Sequence, residues 1–166
     1  MAIITLNNNS LSSVTSLPAA ISTGKVLQVV ESRSTSVTST SSSAMTHITA
    51  SITPSSTSSK ILARISFGAG NTTNGSGNAM IQCSIRKNST TDITTLSTVS
   101  GNNSSSNREG IERIVLEGLD SPNTTSSTSY GIYLYNVDGA SYNIGAWGYD
   151  SSWKSESTVV LMEIEG

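Results

Sequence analysis

Between Ile48 and Gly68 the sequence ITASITPSSTSSKILARISFG alternates apolar and polar positions twice. Ile48, Ala50 and Ile52 fall on one side of an extended chain, with Thr49 and Ser51 on the other. After a polar break, Ile61, Ala63, Ile65 and Phe67 alternate with Leu62, Arg64 and Ser66. A period of two is the signature of a half-buried strand. Pro54 cannot donate a ladder hydrogen bond, and the Ser/Thr run after it can bond its own backbone, so the stretch predicts two strands closed into a hairpin-like unit. The pattern recurs at Lys25–Glu31, Ala79–Arg86, near Ile93–Val99, at Ile111–Leu119, Tyr130–Tyr135, near Tyr142–Tyr149 and at Thr158–Glu165. Val37, inside the Ser/Thr run from Ser32 to Ser43, predicts a short edge strand, and GAGNTTNGSG from Gly68 to Gly77 predicts a surface loop. No interval sustains a helical period. Short strands separated by Asn, Asp, Gly, Ser and Pro clusters predict an all-β, antiparallel β-sandwich, jelly-roll-like in topology.

The strands near the two ends break the inside-outside rule. KVLQVVE places Val26 and Val30 on one face but Leu27 and Val29 on the other, and STVVLMEIE sets Val159 and Leu161 against Val160, Met162 and Ile164. A sandwich whose outer side meets water should carry polar residues there, so these positions predict a second covering layer, most simply a symmetry-related copy. Residues 1–24 scatter Ile3, Ile4, Leu6, Leu11, Val14, Leu17 and Ile21 among Asn and Ser and include Pro18. They predict an extended N-terminal arm, laid either along a neighbouring subunit or scaffold or around its own domain, ahead of a single sandwich domain at 25–166.

Composition narrows the setting. The chain has 166 residues, 35% of them hydrophobic, enough for one modest core. Roughly a third are Ser or Thr and only 12% are charged. Such a content of hydroxyls could mean disorder, but Ile, Val and Thr return at strand spacing, which reads as a folded β protein with a hydroxyl-rich surface. A net charge of −2 without a Lys/Arg cluster argues against nucleic-acid binding. No signal-peptide pattern and no membrane-spanning run is visible, so synthesis and folding in a cytoplasm, without membrane insertion, are expected. Cys83, the one cysteine, is expected to be a buried thiol.

A search for chemistry predicts no catalytic, cofactor-binding or metal-binding residues. His47 is the sole histidine and alternates out of phase with Ile48, Ala50 and Ile52, so it is expected to point away from the core as a surface or interface residue. The charged stretch from Arg108 to Asp120 holds Glu109, Glu112 and Glu117 beside Arg113. Paired carboxylates can hydrolyse glycosides, but Glu and Arg among apolar residues read better as a salt-bridged subunit surface. Asp138 and Asp150 lack the spacing of a calcium loop, and the glycines of 68–77 lack the Lys-Ser/Thr of a phosphate cradle. Tyr130, Tyr133, Tyr135, Tyr142, Trp147, Tyr149 and Trp153 gather late in the chain; sugar stacking is one use for them, core and interface packing the better supported. The Asn-x-Ser/Thr triplets at Asn71, Asn88 and Asn123 arise readily in this composition.

Four blocks carry a family resemblance: ITLNNNSLSSVTSLPAAISTGKVLQVVES, SITPSSTSSKILARISFG, LDSPNTTSSTSYGIYLY and STVVLMEIEG. Through them the chain resembles, over nearly its full length, a family of bacteriophage virion proteins common in marine and cyanobacterial phages. In that family the module forms the distal part of tail fibres or a small virion protein, and the resemblance implies trimeric, fibre-type assembly with other capsid or tail proteins as partners. It brings no catalytic motif. Because this chain starts at Met1 directly before the shared module, without a shaft, the expectation is a non-enzymatic homotrimeric capsid decoration or short fibre, made in the host bacterial cytoplasm and attached to the virion through the N-terminal arm. The alternative is a tail-fibre tip that recognises a host-surface glycan.

Overall fold

The computed structural model describes residues 24–71, 77–95, 97–103, 111–136, 141–146, 151–152 and 154–166. Every regular element among them is a strand: β1 Val26–Ser34, β2 Thr38–Thr40, β3 Ala44–Ile52, β4 Lys60–Asn71, β5 Gly77–Lys87, β6 Thr91–Asp92, β7 Ser97–Asn103, β8 Ile111–Asp120, β9 Thr128–Asn136, β10 Tyr142–Ile144 and β11 Ser157–Ile164. The strands form two antiparallel sheets. In the first, β8 pairs with one edge of β4, while β11 and then β10 share its other edge, and β1 and β2 continue outward from β11 and β10. In the second, β6 and β7 lie on one edge of β5, β9 on the other, and β3 beyond β9.

Leaving aside the two- and three-residue strands β2, β6 and β10, the first strand pairs with the last, the second (β3) with the seventh (β9), the third (β4) with the sixth (β8) and the fourth (β5) with the fifth (β7). That nested pairing is one long hairpin rolled into two sheets, a jelly roll. The predicted alternation fills its interior. Ile48, Ala50 and Ile52 face Ile61, Ala63, Ile65 and Phe67 across the core, joined by Ile81, Cys83 and Ile85, by Tyr130, Ile132 and Leu134, and by Val159 and Leu161. Burial pushes the Cys83 thiol up to about 11, which keeps it a protonated, inert core residue.

Several local expectations are corrected. The unit from Ile48 to Gly68 is not a hairpin: β3 pairs with β9 and β4 with β8, β10 and β11, so the Ser/Thr segment between them is a corner that carries the chain from one sheet to the other. Strand β4 continues beyond Phe67 through the residues expected to open a loop, and Gly68, Ala69 and Gly70 are buried. Gly68 sits where the neighbour of β4 changes from β11 to β10. A Cβ there would come within 2.9 Å of Ser155 Oγ, so only glycine admits this close approach. Of the strand expected near Ile93–Val99 only the part from Ser97 is strand, as β7, and Ile93 and Thr94 lie outside any strand after β6, because Ile93 donates back to Ile85 O at 2.9 Å and Thr94 Oγ1 accepts the Ile85 amide at 3.0 Å. A threonine hydroxyl thus takes the place of a ladder carbonyl, and the chain bulges. The short edge strand expected at Val37 is β2, one residue later. The expectations placed on residues 1–23, Arg108, Glu109, Asp138, Trp147, Tyr149, Asp150 and Trp153 lie outside the described residues.

Candidate functional site

Strand parity gives each sheet an outward face, and the two differ in chemistry. On the first sheet the registers align Val29 (β1), Met162 (β11), Leu62 (β4) and Leu119 (β8) into one apolar row across its full width. Beside it run a mixed row, Glu31, Val160, Arg64 and Glu117, and then Arg33, Thr158, Ser66 and Val115. Val26, Leu27, Val29, Val115 and Leu119 are between 40% and 57% exposed, far more than large apolar side chains normally are on a sheet whose other face is the core. The two-sided burial expected of the end strands is therefore absent within one chain: the inner positions of β11 are buried and those of β1 half-buried, and the outer ones of both are open or half-open. The ion pairs on this face, Arg64 with Glu117 at 3.9 Å and Arg33 with Glu31 and Glu156 at 2.8 and 3.3 Å, are solvent-exposed and add little to stability. Of the charged stretch from Arg108 to Asp120, Arg113 donates to Ser66 Oγ at 2.6 Å, while Asp120 turns inward to Lys87 and Tyr130.

The outward face of the second sheet is polar and holds two tyrosines. Tyr133 and Tyr135 stand two residues apart on β9, their rings edge to face with centroids 4.6 Å apart. Arg86 on β5 lies opposite Gly131. With no side chain at Gly131 to block it, the arginine can lean toward β9, and its guanidinium stacks 3.5 Å above the Tyr133 ring. Asp92 on β6 holds it there, accepting Arg86 Nε at 2.9 Å and Nη2 at 3.1 Å, Ser84 Oγ at 2.5 Å and the Tyr135 hydroxyl at 3.1 Å. Arg86 Nη2 also donates to the Tyr135 oxygen. Hydrogen bonding to Arg86, with smaller help from Ser84 and Tyr135, keeps the Asp92 carboxyl below its usual range even though partial burial opposes this. The next row continues with Gln82, whose Nε2 donates to Thr98 Oγ1 at 3.1 Å. Tyr130 and Tyr142 are core residues, so the expected aromatic group divides between interior and surface.

His47 does not point away from the core. A register shift between Met45 and Thr49 interrupts β3, and His47 takes a φ of 75°, which swings its ring toward the other sheet. There Nδ1 meets Thr38 Oγ1 at 3.2 Å and Nε2 meets Ser157 Oγ at 2.8 Å. The ring packs on Gly145, where a Cβ would lie 2.6 Å from His47 Cε1 and 2.4 Å from Ser36 O. Burial lowers the His47 pKa, and no acidic partner among the described residues counters it. At the far end of the sandwich Glu163 is buried on the inner face of β11. Its carboxylate accepts Gln28 Nε2 at 2.6 Å, Ser55 N at 2.7 Å and Ser55 Oγ at 2.6 Å. Burial alone would raise its pKa, but these donors, with the nearby Ser59 dipole, prevail and hold it at about 2. Ser59 Oγ itself is buried and makes no hydrogen bond of good geometry among the described residues. The His47 contacts tie β3 to β2 and β11, and the Glu163 contacts tie β11 to β1 and to the corner after β3.

Among the described residues no three His, Cys, Asp or Glu side chains come together as metal ligands. Asn88 and Asn123, at φ of 49° and 53°, are turn residues, and Asn88 Oδ1 accepts the Ser129 amide at 3.0 Å. The Arg86–Asp92 pair was not singled out from sequence. Its signal lay in parity: Ser84 and Arg86 alternate with Cys83 and Ile85, and Tyr133 and Tyr135 with Ile132 and Leu134, so all four had to face outward once both strands were accepted.

No protein-family model and no curated protein matches the chain. Among solved structures it is similar to the C-terminal domain of EclA, titled a sugar-binding protein, at 12% identity and a TM-score of 0.43, covering 95% of this chain and 99% of that one. It is also similar to VP2 in a subviral particle of infectious bursal disease virus, at 11% identity and a TM-score of 0.35, covering 82% of this chain and 39% of that one. Likeness at this level decides nothing about what the chain does.

Proposed function

We propose that the chain is a non-enzymatic structural subunit of a bacteriophage virion, a homotrimer that serves as a capsid decoration or short fibre. The phage setting is supported by the sequence resemblance, and self-assembly by one observation: the apolar row Val29–Met162–Leu62–Leu119 across the outward face of the first sheet. Around a three-fold axis each protomer would turn this face to the others, and the Arg64 and Glu117 row beside it offers charges of both signs for fixing register. Magnitudes also give the arm a part. Covering five half-exposed Val and Leu side chains is worth about 1 kcal/mol each, roughly 5 kcal/mol per protomer, whereas association costs about 4–15 kcal/mol. The face alone is marginal, and apolar residues of 1–24 ordered on a neighbour or on the particle would supply the difference.

Light scattering on the purified protein tests this. A trimer is expected at about 10 μM, a concentration that reports affinities in the range of ordinary assemblies, and Val29→Asp with Leu119→Asp should give folded monomers. A wild-type monomer rejects the reading; a dimer or hexamer keeps association and rejects the three-fold form. Deleting residues 1–24 should leave a folded sandwich that no longer joins particles, and normal incorporation would reject attachment through the arm.

A further inference from the structure

We propose that the outward face of the second sheet binds a neutral saccharide at the cluster of Arg86, Tyr133, Tyr135, Asp92 and Gln82. The site lies on the opposite side of the sandwich from the apolar row and does not depend on self-assembly.

Arg86 is held in place before any ligand arrives. It is stacked on Tyr133 and clamped through Nε and Nη2 by Asp92, which leaves Nη1 with two N–H donors and no partner among the described residues. A long side chain fixed in this way has already lost its rotamer freedom, a loss that a free surface arginine would suffer on binding. Gln82 is likewise anchored by its Nε2 to Thr98, and its Oε1 acceptor has no partner among the described residues. Donor and acceptor therefore stand on the same outward face of β5, four residues apart with Ser84 between them, beside two half-buried tyrosine rings.

Charge selects the ligand class. Arg86 and Asp92 cancel, so the cluster has no net field to hold a phosphate, sulfate or nucleic acid. An apolar partner would leave the free Nη1 and Oε1 groups without hydrogen bonds. A sugar hydroxyl donates and accepts, and the C–H face of a pyranose packs on tyrosine ring surface, here the part that Arg86, stacked on one face of Tyr133, leaves open. A neutral saccharide meets all three requirements of the surface. A network that merely pins the β5–β6 turn would satisfy Arg86 and Asp92 equally well, but it would show no response to a ligand.

The test is a two-dimensional NMR titration of the full chain, reading backbone amides and the Arg86 side-chain Nε signal, with maltose, lactose, N,N′-diacetylchitobiose and mannobiose as probes and sodium sulfate as the anionic control. At least one disaccharide should give saturable shifts confined to the neighbourhood of residues 82, 86, 92, 133 and 135, with Kd in the millimolar range, about that of a single shallow site. Arg86→Lys keeps the charge but loses the stacked fork, and it should weaken binding about tenfold or more. If its melt shows that it does not fold, Gln82→Ala, outside the Asp92 clamp, should retain the fold and weaken binding severalfold. The proposal is overturned if no disaccharide shifts these signals at about 50 mM, well above such a Kd, if the shifts fall on another face, or if sulfate alone produces them.

Discussion

Glu163→Gln probes how the end of the sandwich is locked. The Glu163 carboxylate joins β11 to Gln28 of β1 and to Ser55 in the corner between the sheets, and Gln28 Nε2 also donates to Thr53 O at 2.7 Å. A pKa held at about 2 against a reference of 4.5 corresponds to roughly 3.5 kcal/mol of folded-state stabilisation of the charged form at ~1.4 kcal/mol per unit. Ser55 is exposed, so solvent reaches the edge of this network and reduces the figure to about 2 kcal/mol. The sign follows from linkage. The unfolded chain takes up the proton first as pH falls, so the stabilisation is complete above pH 4.5 and lost between 4.5 and about 2. Glutamine is isosteric but turns an amide N–H₂ toward groups that already donate. Urea unfolding at pH 7 should therefore show the variant destabilised by about 2–3 kcal/mol, and the gap should narrow as pH falls through that window. A gap that stays constant down to pH 2, or none at pH 7, would refute the assignment of this carboxylate as the lock.

Ile65→Ala should cost about 2–5 kcal/mol by opening a core cavity, while Arg64→Ala in the isolated monomer should stay within about 0.5 kcal/mol; equal losses in chemical denaturation would contradict the β4 alternation. Gly145 has a φ of 82°, and any Cβ there meets Ser36 O and the His47 ring, so Gly145→Ala should lower stability by roughly 2–4 kcal/mol, read as a drop in thermal midpoint. Because burial lowers the His47 pKa below 6.5, the unfolded state binds its proton first, and stability should decline as pH falls below 6.5; His47→Gln should flatten this slope in urea midpoints measured from pH 7 to 5.

The fold class was legible because alternation is local: Ile61, Ala63, Ile65 and Phe67 could face only one way, and the core contains them. Pairing was not legible at the same range. The polar break after Pro54 predicts a reversal, but a reversal within a sheet and a corner between sheets use the same turn chemistry. His47 escaped because a bulge is set by what the strand must reach, here Thr38 and Ser157 on the other sheet, and it changes the phase of everything before it. The surface cluster was half legible. Tyr133 and Tyr135 were marked as aromatics, but Arg86 and Asp92 gain meaning only from the pairing of β5 with both β6 and β9.

One non-local feature was nonetheless written into the outward positions. Val29, Leu62, Leu119, Val160 and Met162 are apolar and belong to strands one, three, six and eight of the nested set, whereas Thr49, Ser51, Gln82, Ser84, Arg86, Thr98 and Ser129 are polar and belong to strands two, four, five and seven. Each long strand of the first sheet thus carries an outward aliphatic side chain beside polar ones such as Glu31, Arg64 and Glu117, a distinction present before any pairing is known. That distinction also separates the roles proposed for the faces. Packed sheets stand ~10 Å apart, far enough for substitutions on opposite faces to act additively. Val29→Asp should then abolish assembly without changing saccharide shifts at Arg86, and Arg86→Lys should do the reverse. If either substitution removed both properties, the two faces would be parts of one composite site, with saccharide binding completed by a neighbouring protomer.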